Sequence, residues 1–84
     1  QMQVYPNPGN GKFTVKFNLK NSGEAKLTIK DASGKLIEER ILKNLSAGEN
    51  TYSMKTKNSI SNGVYNITIE TGFAKATQQI SIEP

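Results

Sequence analysis

A few short constellations in this chain carry residue types that could do chemistry. Gly9-Asn10-Gly11-Lys12 has the glycines and lysine of a phosphate-cradling loop. Such a loop needs Ser or Thr after the lysine and a helix N-terminus to hold the anion, whereas here Phe13 follows and the pattern beyond it is that of a strand. A turn is the better account. Glu38 and Glu39 could pair as acid and base, but adjacent residues on a strand face opposite sides, so they cannot flank one bond or share one metal without a bulge; both are expected to be solvated or paired with nearby lysines. Asp31 is the sole aspartate, so a calcium site there would rest mainly on backbone carbonyls. With no histidine and no cysteine, thiol nucleophiles, imidazole acid–base chemistry, disulfides and most zinc sites are absent. Only a Ser–Lys or carboxylate arrangement is left for catalysis, and no spacing supports one. The expectation is a protein that is not an enzyme, with no catalytic residues, cofactor or metal.

The elements that carry these residues must come from a short chain. A length of 84 residues suits one domain, 1–84, and a domain this small buries roughly 60–65% of the surface its unfolded chain exposes. No stretch approaches the roughly 18 consecutive apolar residues of a membrane helix, so no membrane span is expected. The start, Gln1-Met2-Gln3-Val4-Tyr5, has neither the basic region nor the apolar run of a signal peptide; any export signal is expected upstream, on a longer parent protein. The net charge of +4 raises the question of a nucleic-acid partner. Lys12, Thr14, Lys16 and Asn18 alternate with Phe13, Val15, Phe17 and Leu19, which sends lysines and aromatics to opposite faces of a strand. Single-strand binders need bases stacked on aromatics beside the basic groove. The lysines are a solvated face, and no nucleic-acid partner is expected.

Along the chain, residues 2–5 form a first strand. Tyr5 and Asn7 each precede a proline and are pushed toward extended backbone, while Gly9 and Gly11 permit positive φ where the chain reverses. Residues 13–19 form the second strand, and Asn21-Ser22-Gly23 a loop. Ala25, Leu27 and Ile29 alternate with Lys26, Thr28 and Lys30 in the third strand. Asp31-Ala32-Ser33-Gly34 has the Asp and Gly of a type I-like turn, making strands three and four a hairpin. In residues 36–42, Leu36 and Leu42 share one parity and Ile37 and Ile41 the other, so a bulge or a crossing strand is expected, in preference to one helical turn. Residues 45–50 read as a loop, Tyr52 and Met54 as a strand, and residues 57–63 as a polar connection, with Leu45 and Ile60 plugging the ends of the core. Tyr65, Ile67 and Ile69 mark the sixth strand, and residues 73–82 the seventh, with Ala74, Ala76, Ile80 and Ile82 on one face. Tyr65, at the start of the penultimate strand, can bond back to the backbone in a tyrosine corner. The whole predicts an all-β, seven-stranded antiparallel immunoglobulin-like β-sandwich. Asn44-Leu45-Ser46 and Asn66-Ile67-Thr68 match the glycosylation triplet, a pattern common by chance and in the second case set within a strand.

Tyr5-Pro6-Asn7-Pro8 with Gly11 and Phe13, the Asp31 to Gly34 hairpin, Leu45 with Gly48 and Asn50, and Gly63-Val64-Tyr65 together resemble the type A C-terminal sorting domain of the Bacteroidetes type IX (Por) secretion system. The resemblance spans nearly the whole chain. Pro6, Pro8 and Gly11 match the family's first motif, and Gly63 and Tyr65 its later one. The family usually ends in a lysine-bearing apolar strand, whereas this chain ends Gln78-Gln79-Ile80-Ser81-Ile82-Glu83-Pro84, with Lys75 the nearest base. The resemblance implies a monomeric address at the end of a cargo protein, recognised by the outer-membrane translocon and shuttle protein. A sortase-like peptidase would then remove it as a substrate. The cargo would pass through the periplasm and outer membrane, to be anchored at the cell surface on lipopolysaccharide or secreted. The different-class alternative is a generic immunoglobulin-like spacer, or an adhesive or carbohydrate-binding module, since the sandwich fold itself is reused for unrelated purposes.

Overall fold

Alternation on the second strand sets the architecture. In the computed structural model, which describes residues 2–7, 9–57 and 59–83, Phe13, Val15, Phe17 and Leu19 are buried while Lys12 and Asn18 are exposed and Thr14 and Lys16 half-buried. The described residues form seven strands and no helix: β1 (Met2–Tyr5), β2 (Lys12–Leu19), β3 (Gly23–Asp31), β4 (Leu36–Leu45), β5 (Gly48–Lys55), β6 (Gly63–Glu70) and β7 (Lys75–Ile82). One sheet has the order β1-β2-β5 and the other β4-β3-β6-β7, with every paired strand antiparallel. The predicted all-β sandwich is therefore the fold. No helix long and apolar enough to cross a membrane occurs among the described residues.

The core lies between the two sheets. Val15, Leu27 and Ile67, on the central strands β2, β3 and β6, are fully shielded from solvent. Val4, Ala25, Ile29, Leu42, Met54, Ile69, Ile80 and Ile82 extend the same cluster, and Leu45 and Ile60 pack against its ends as expected. Burial of this apolar surface is the main source of stability in a chain with no disulfide.

The β3–β4 hairpin turns where Asp31 predicts it. The carbonyl of Asp31 accepts the Gly34 N–H at 2.9 Å, and its carboxylate Oδ1 accepts the N–H of Ser33 at 2.9 Å, the Ser33 hydroxyl at 2.7 Å and the N–H of Lys35 at 2.9 Å. These bonds, led by that from the Ser33 hydroxyl, hold the Asp31 carboxyl below its ordinary pKa. Past the turn, the pairing steps from Ile29↔Glu38 to Lys30↔Leu36, leaving Ile37 as the extra residue of a β-bulge. A second shift lies between Gly23 and Ala25. The broken parity of Leu36, Ile37, Ile41 and Leu42 has this cause.

Three expectations are corrected. The strand expected over 36–42 continues to Leu45, and the loop expected over 45–50 shrinks to Ser46 and Ala47. Asn50 explains this, because its side chain accepts the Ser46 N–H and donates to the carbonyls of Ser46 and Gly48, tying the crossing between sheets into a tight turn. The seventh strand begins at Lys75, not at residue 73. Thr71 closes a turn there, its Oγ1 accepting the N–H of Phe73 at 3.2 Å and of Ala74 at 3.0 Å while its own N–H donates to the Ala74 carbonyl at 2.8 Å. Phe73 is consequently 93% exposed, and Ala74 leaves the face it was expected to share. Finally, Glu38 and Glu39 do face opposite sides, but Glu38 is not solvated: its side chain is only 8% exposed, whereas Glu39 lies 3.7 Å from Lys26 at the surface.

Glu38 points inward because Arg40 does too. The register sets Glu38 beside Ile29 and Arg40 beside Leu27, on the core side of β4. Arg40 Nε donates to Glu38 Oε2 at 2.7 Å, Nη1 to the Tyr52 hydroxyl at 3.0 Å and Nη2 to the Lys55 carbonyl at 2.7 Å, while Glu38 Oε1 accepts the Lys57 N–H at 2.9 Å. The network closes the side of the sandwich between edge strands β4 and β5. Tyr52 first, and then Glu38, raise the Arg40 pKa against the opposing effect of burial, so the guanidinium stays charged.

Two outcomes follow for stability. Arg40→Leu strands a shielded carboxylate and should cost about 2–4 kcal/mol, whereas Glu38→Leu combined with Arg40→Leu should cost less than Arg40→Leu alone; a double-mutant cycle by urea denaturation measures the coupling. For Asp31, the folded pKa is depressed, so its contribution is complete above the unfolded value and lost as pH falls through the folded one. Stability should decline below about pH 4, and the difference between wild type and Asp31→Asn should vanish at low pH.

Candidate sorting end

The residues singled out by motif come from opposite parts of the sequence and meet at one end of the sandwich. β1 and β2 are joined by the turn that holds Pro6, Asn7, Gly9 and Gly11, and β6 pairs with β7 so that Gly63 lies opposite Ile82 and Tyr65 opposite Ile80. On the far side of Ile82, Gly9 forms a parallel bridge with the same residue. The end of β7 is thus held between two glycines, Gly63 in the sheet and Gly9 from the first turn. Pro8 lies outside the described residues.

Hydrogen bonds define the contact. Gly9 N–H donates to the Ser81 carbonyl at 2.9 Å, and Glu83 N–H donates to the Gly9 carbonyl at 2.7 Å. The Asn7 side-chain oxygen accepts the Ser81 N–H at 3.0 Å across 74 positions of sequence. A β-carbon on Gly9 would sit 3.0 Å from the Pro6 carbonyl, so close backbone approach, not the expected positive φ, requires glycine there. Gly11 does have positive φ, at 96°, where an L side chain is strained. Its carbonyl accepts the N–H of the buried Thr56 at 3.1 Å.

Beside this clamp, the Tyr65 hydroxyl donates to the Ser61 carbonyl at 2.7 Å. Tyr65 is 6% exposed, so its ring belongs to the core while the hydroxyl pins the connection entering β6. This is the corner expected from the sequence. A shallow depression of about 320 Å³ beside it is lined by Asp31, Ile37, Glu38, Ser59, Ile60, Ser61 and Tyr65.

Lys75 stands apart. It opens β7, paired with Glu70, and seven strand steps separate it from Ile82, roughly 23 Å at about 3.3 Å per residue. It lines a groove of about 610 Å³ at the opposite end with Lys20, Phe17 and the exposed Phe73. Pro6, Gly11, Gly63 and Tyr65 therefore share one end, and Lys75 the other.

Asn7, Gly9 and Ser81 join the site only through the structure. Asn7 between two prolines is visible as a constrained acceptor, but nothing in the sequence names a partner so far along the chain. No group of three or more acidic, His or Cys residues placed to hold a metal ion occurs among the described residues.

A family model for the secretion system C-terminal sorting domain matches residues 3–83. The chain belongs to that family. No curated protein matches the chain. As a type IX sorting domain, it is of a kind that is in general non-catalytic, that interacts with the secretion machinery, and whose cargo is a secreted or cell-surface protein. The match covers both the turn after β1 and the end of β7, the two segments that build the clamp.

Asn7→Ala in this sorting domain removes the acceptor for the Ser81 N–H. The expected cost is about 1 kcal/mol, seen as a lower denaturation midpoint at unchanged slope. Amide exchange should accelerate at Ser81 while Ile80 stays protected; unchanged exchange at Ser81 would show that the side-chain bond is not formed in solution.

Proposed function

We propose that this sorting domain is the address by which a cargo protein is carried through the outer membrane, read as a folded module by the translocon and its shuttle protein. A sortase-like peptidase then cuts it away, leaving the cargo anchored at the surface or released. The domain acts as ligand and substrate, with Pro6, Pro8, Gly11, Gly63, Tyr65 and Lys75 as its recognition or structural motif residues, and works as a monomer.

The observation that carries this reading is the convergence of Pro6, Gly11, Gly63 and Tyr65 about the end of β7. Each has a structural task there: the first two belong to the turn that clamps Ser81, and the last two to the strand entry that pairs with Ile82. An address must be folded and must present a constant feature whatever cargo precedes it. A hydrogen-bonded strand end built from the first turn and the last strand of the domain meets that requirement without contributions from the cargo.

Residues 1–84 placed at the C-terminus of a periplasm-directed fluorescent protein should send it to the surface or the medium in a host with type IX secretion, and delivery should cease when the translocon is deleted. Retention in the periplasm would instead favour a spacer or adhesive module. Gly11→Val should abolish delivery by unfolding the turn, which the melting curve of the purified variant checks.

A further inference from the structure

A two-sheet sandwich has four edges, and exposed edges pair with other chains unless something blocks them. Three of the four are blocked here. β4 has two register shifts and turns Glu38 and Arg40 inward. On β5, the Lys55 carbonyl is taken by Arg40, and Glu49 and Lys55 place charges near the two ends of the strand. β1 has four residues, and its Val4 carbonyl accepts a bond from Gln78 Nε2 at 3.4 Å.

β7 is different. Its pairing with β6 runs without a register shift from Gly63↔Ile82 to Glu70↔Lys75, and from Ala76 to Ile82 it contains no charged residue, proline or glycine. At its end, Ser81 and Glu83 direct backbone groups away from β6 to Gly9 and Asn7. Peptide groups alternate along a strand, so Thr77 and Gln79 present their N–H and C=O to that same outer side. Among the described residues, no hydrogen bond takes them up. Both residues are exposed.

We propose that the outer edge of β7 at Lys75, Thr77 and Gln79 is a strand-docking site that takes an extended polypeptide segment of the secretion machinery as an added strand. The inference rests on the sorting function proposed above. Two observations select an extended strand as the occupant, and the sorting function supplies its source. The first turn already pairs with this edge through the single parallel bridge of Gly9 to Ile82, so the edge is competent for pairing and the free registers begin where that contact stops. The groups left free are main-chain donors and acceptors at alternate residues, which only another extended backbone can satisfy together. Exposed Thr77 beside Thr68, hydroxyl to hydroxyl at 2.9 Å, gives the incoming strand a polar, β-favouring outer neighbour.

The test uses the secreted reporter with Gln79→Pro and, separately, Thr77→Pro. Each removes an outward N–H, a position at which an edge strand accepts proline, so the purified variants should keep a cooperative melt. Export is expected to fall about tenfold or more, the loss of one to two backbone hydrogen bonds to a partner, while Gln79→Ala exports normally. Normal export of both folded proline variants would overturn the edge and leave the sorting function standing. Periplasmic retention of the unmodified reporter would overturn both. Concentration-dependent dimerisation of the unmodified chain, lost in Gln79→Pro, would assign the edge to a second copy and also overturn the proposal.

Discussion

The bonds that Gly9 and Asn7 make to Ser81 and Glu83 hold the sandwich closed at the end where its first turn meets its last strand. β7 lies at the edge of its sheet, with β6 on one side only, and the end of such a strand would ordinarily fray. Here Ile82 has Gly63 on one side and Gly9 on the other. With its neighbouring peptide groups bonded on both sides, Ile82 can stay buried with Ile80 in the common core. The backbone contact and the apolar contact support one another, since burying strand ends with unpaired N–H or C=O groups would be costly.

Edge control explains the rest of the polar architecture. A sandwich of this size has few interior positions, yet β4 commits two inward sites to Glu38 and Arg40. In packing terms these sites could hold apolar residues, and a buried ion pair is often no more stabilising than such a replacement. What the pair does supply is directional contact between sheets: Arg40 reaches Tyr52 and Lys55 on β5, and Glu38 reaches the backbone of Lys57. The lateral position of β4 against β5 is thereby fixed, and β4 becomes a poor template for another strand. On the opposite side Gln78 performs a smaller version of the same task with Val4.

Much of this fold was legible in the sequence, because period-2 alternation in β2, β3 and β6 leaves one face apolar and only one pairing surface to bury it. The all-β sandwich, the Asp31 turn and the Tyr65 corner rest on signals within a few residues of one another. The misread regions had a different character. Glu38 reads as a solvated or lysine-paired carboxylate because nothing near it in sequence marks an inward site for a charge, and only the register past the Ile37 bulge with the inward Arg40 reveals otherwise. Phe73 reads as strand because Thr71-Gly72 is taken as the whole turn, whereas Thr71 bonds the N–H groups of Phe73 and Ala74 and ends the turn two residues later. The clamp was the least legible feature: its partners are 74 positions apart, and Asn7 carries no mark of what it binds.

That separation has a functional consequence. The clamp draws on both the first turn, which carries Asn7 and Gly9, and the final strand, which carries Ser81 and Ile82. The site therefore needs both ends of the fold; a fragment lacking either one loses half of the contact, and a chain still partly extended carries the same residues without the geometry. A partner that binds the assembled end thus discriminates folded from unfolded domain with no added device, and discrimination arises from the same hydrogen bonds that stabilise the structure. Residues at such a site hold the fold together, so their replacement is informative about recognition only where folding has been measured independently.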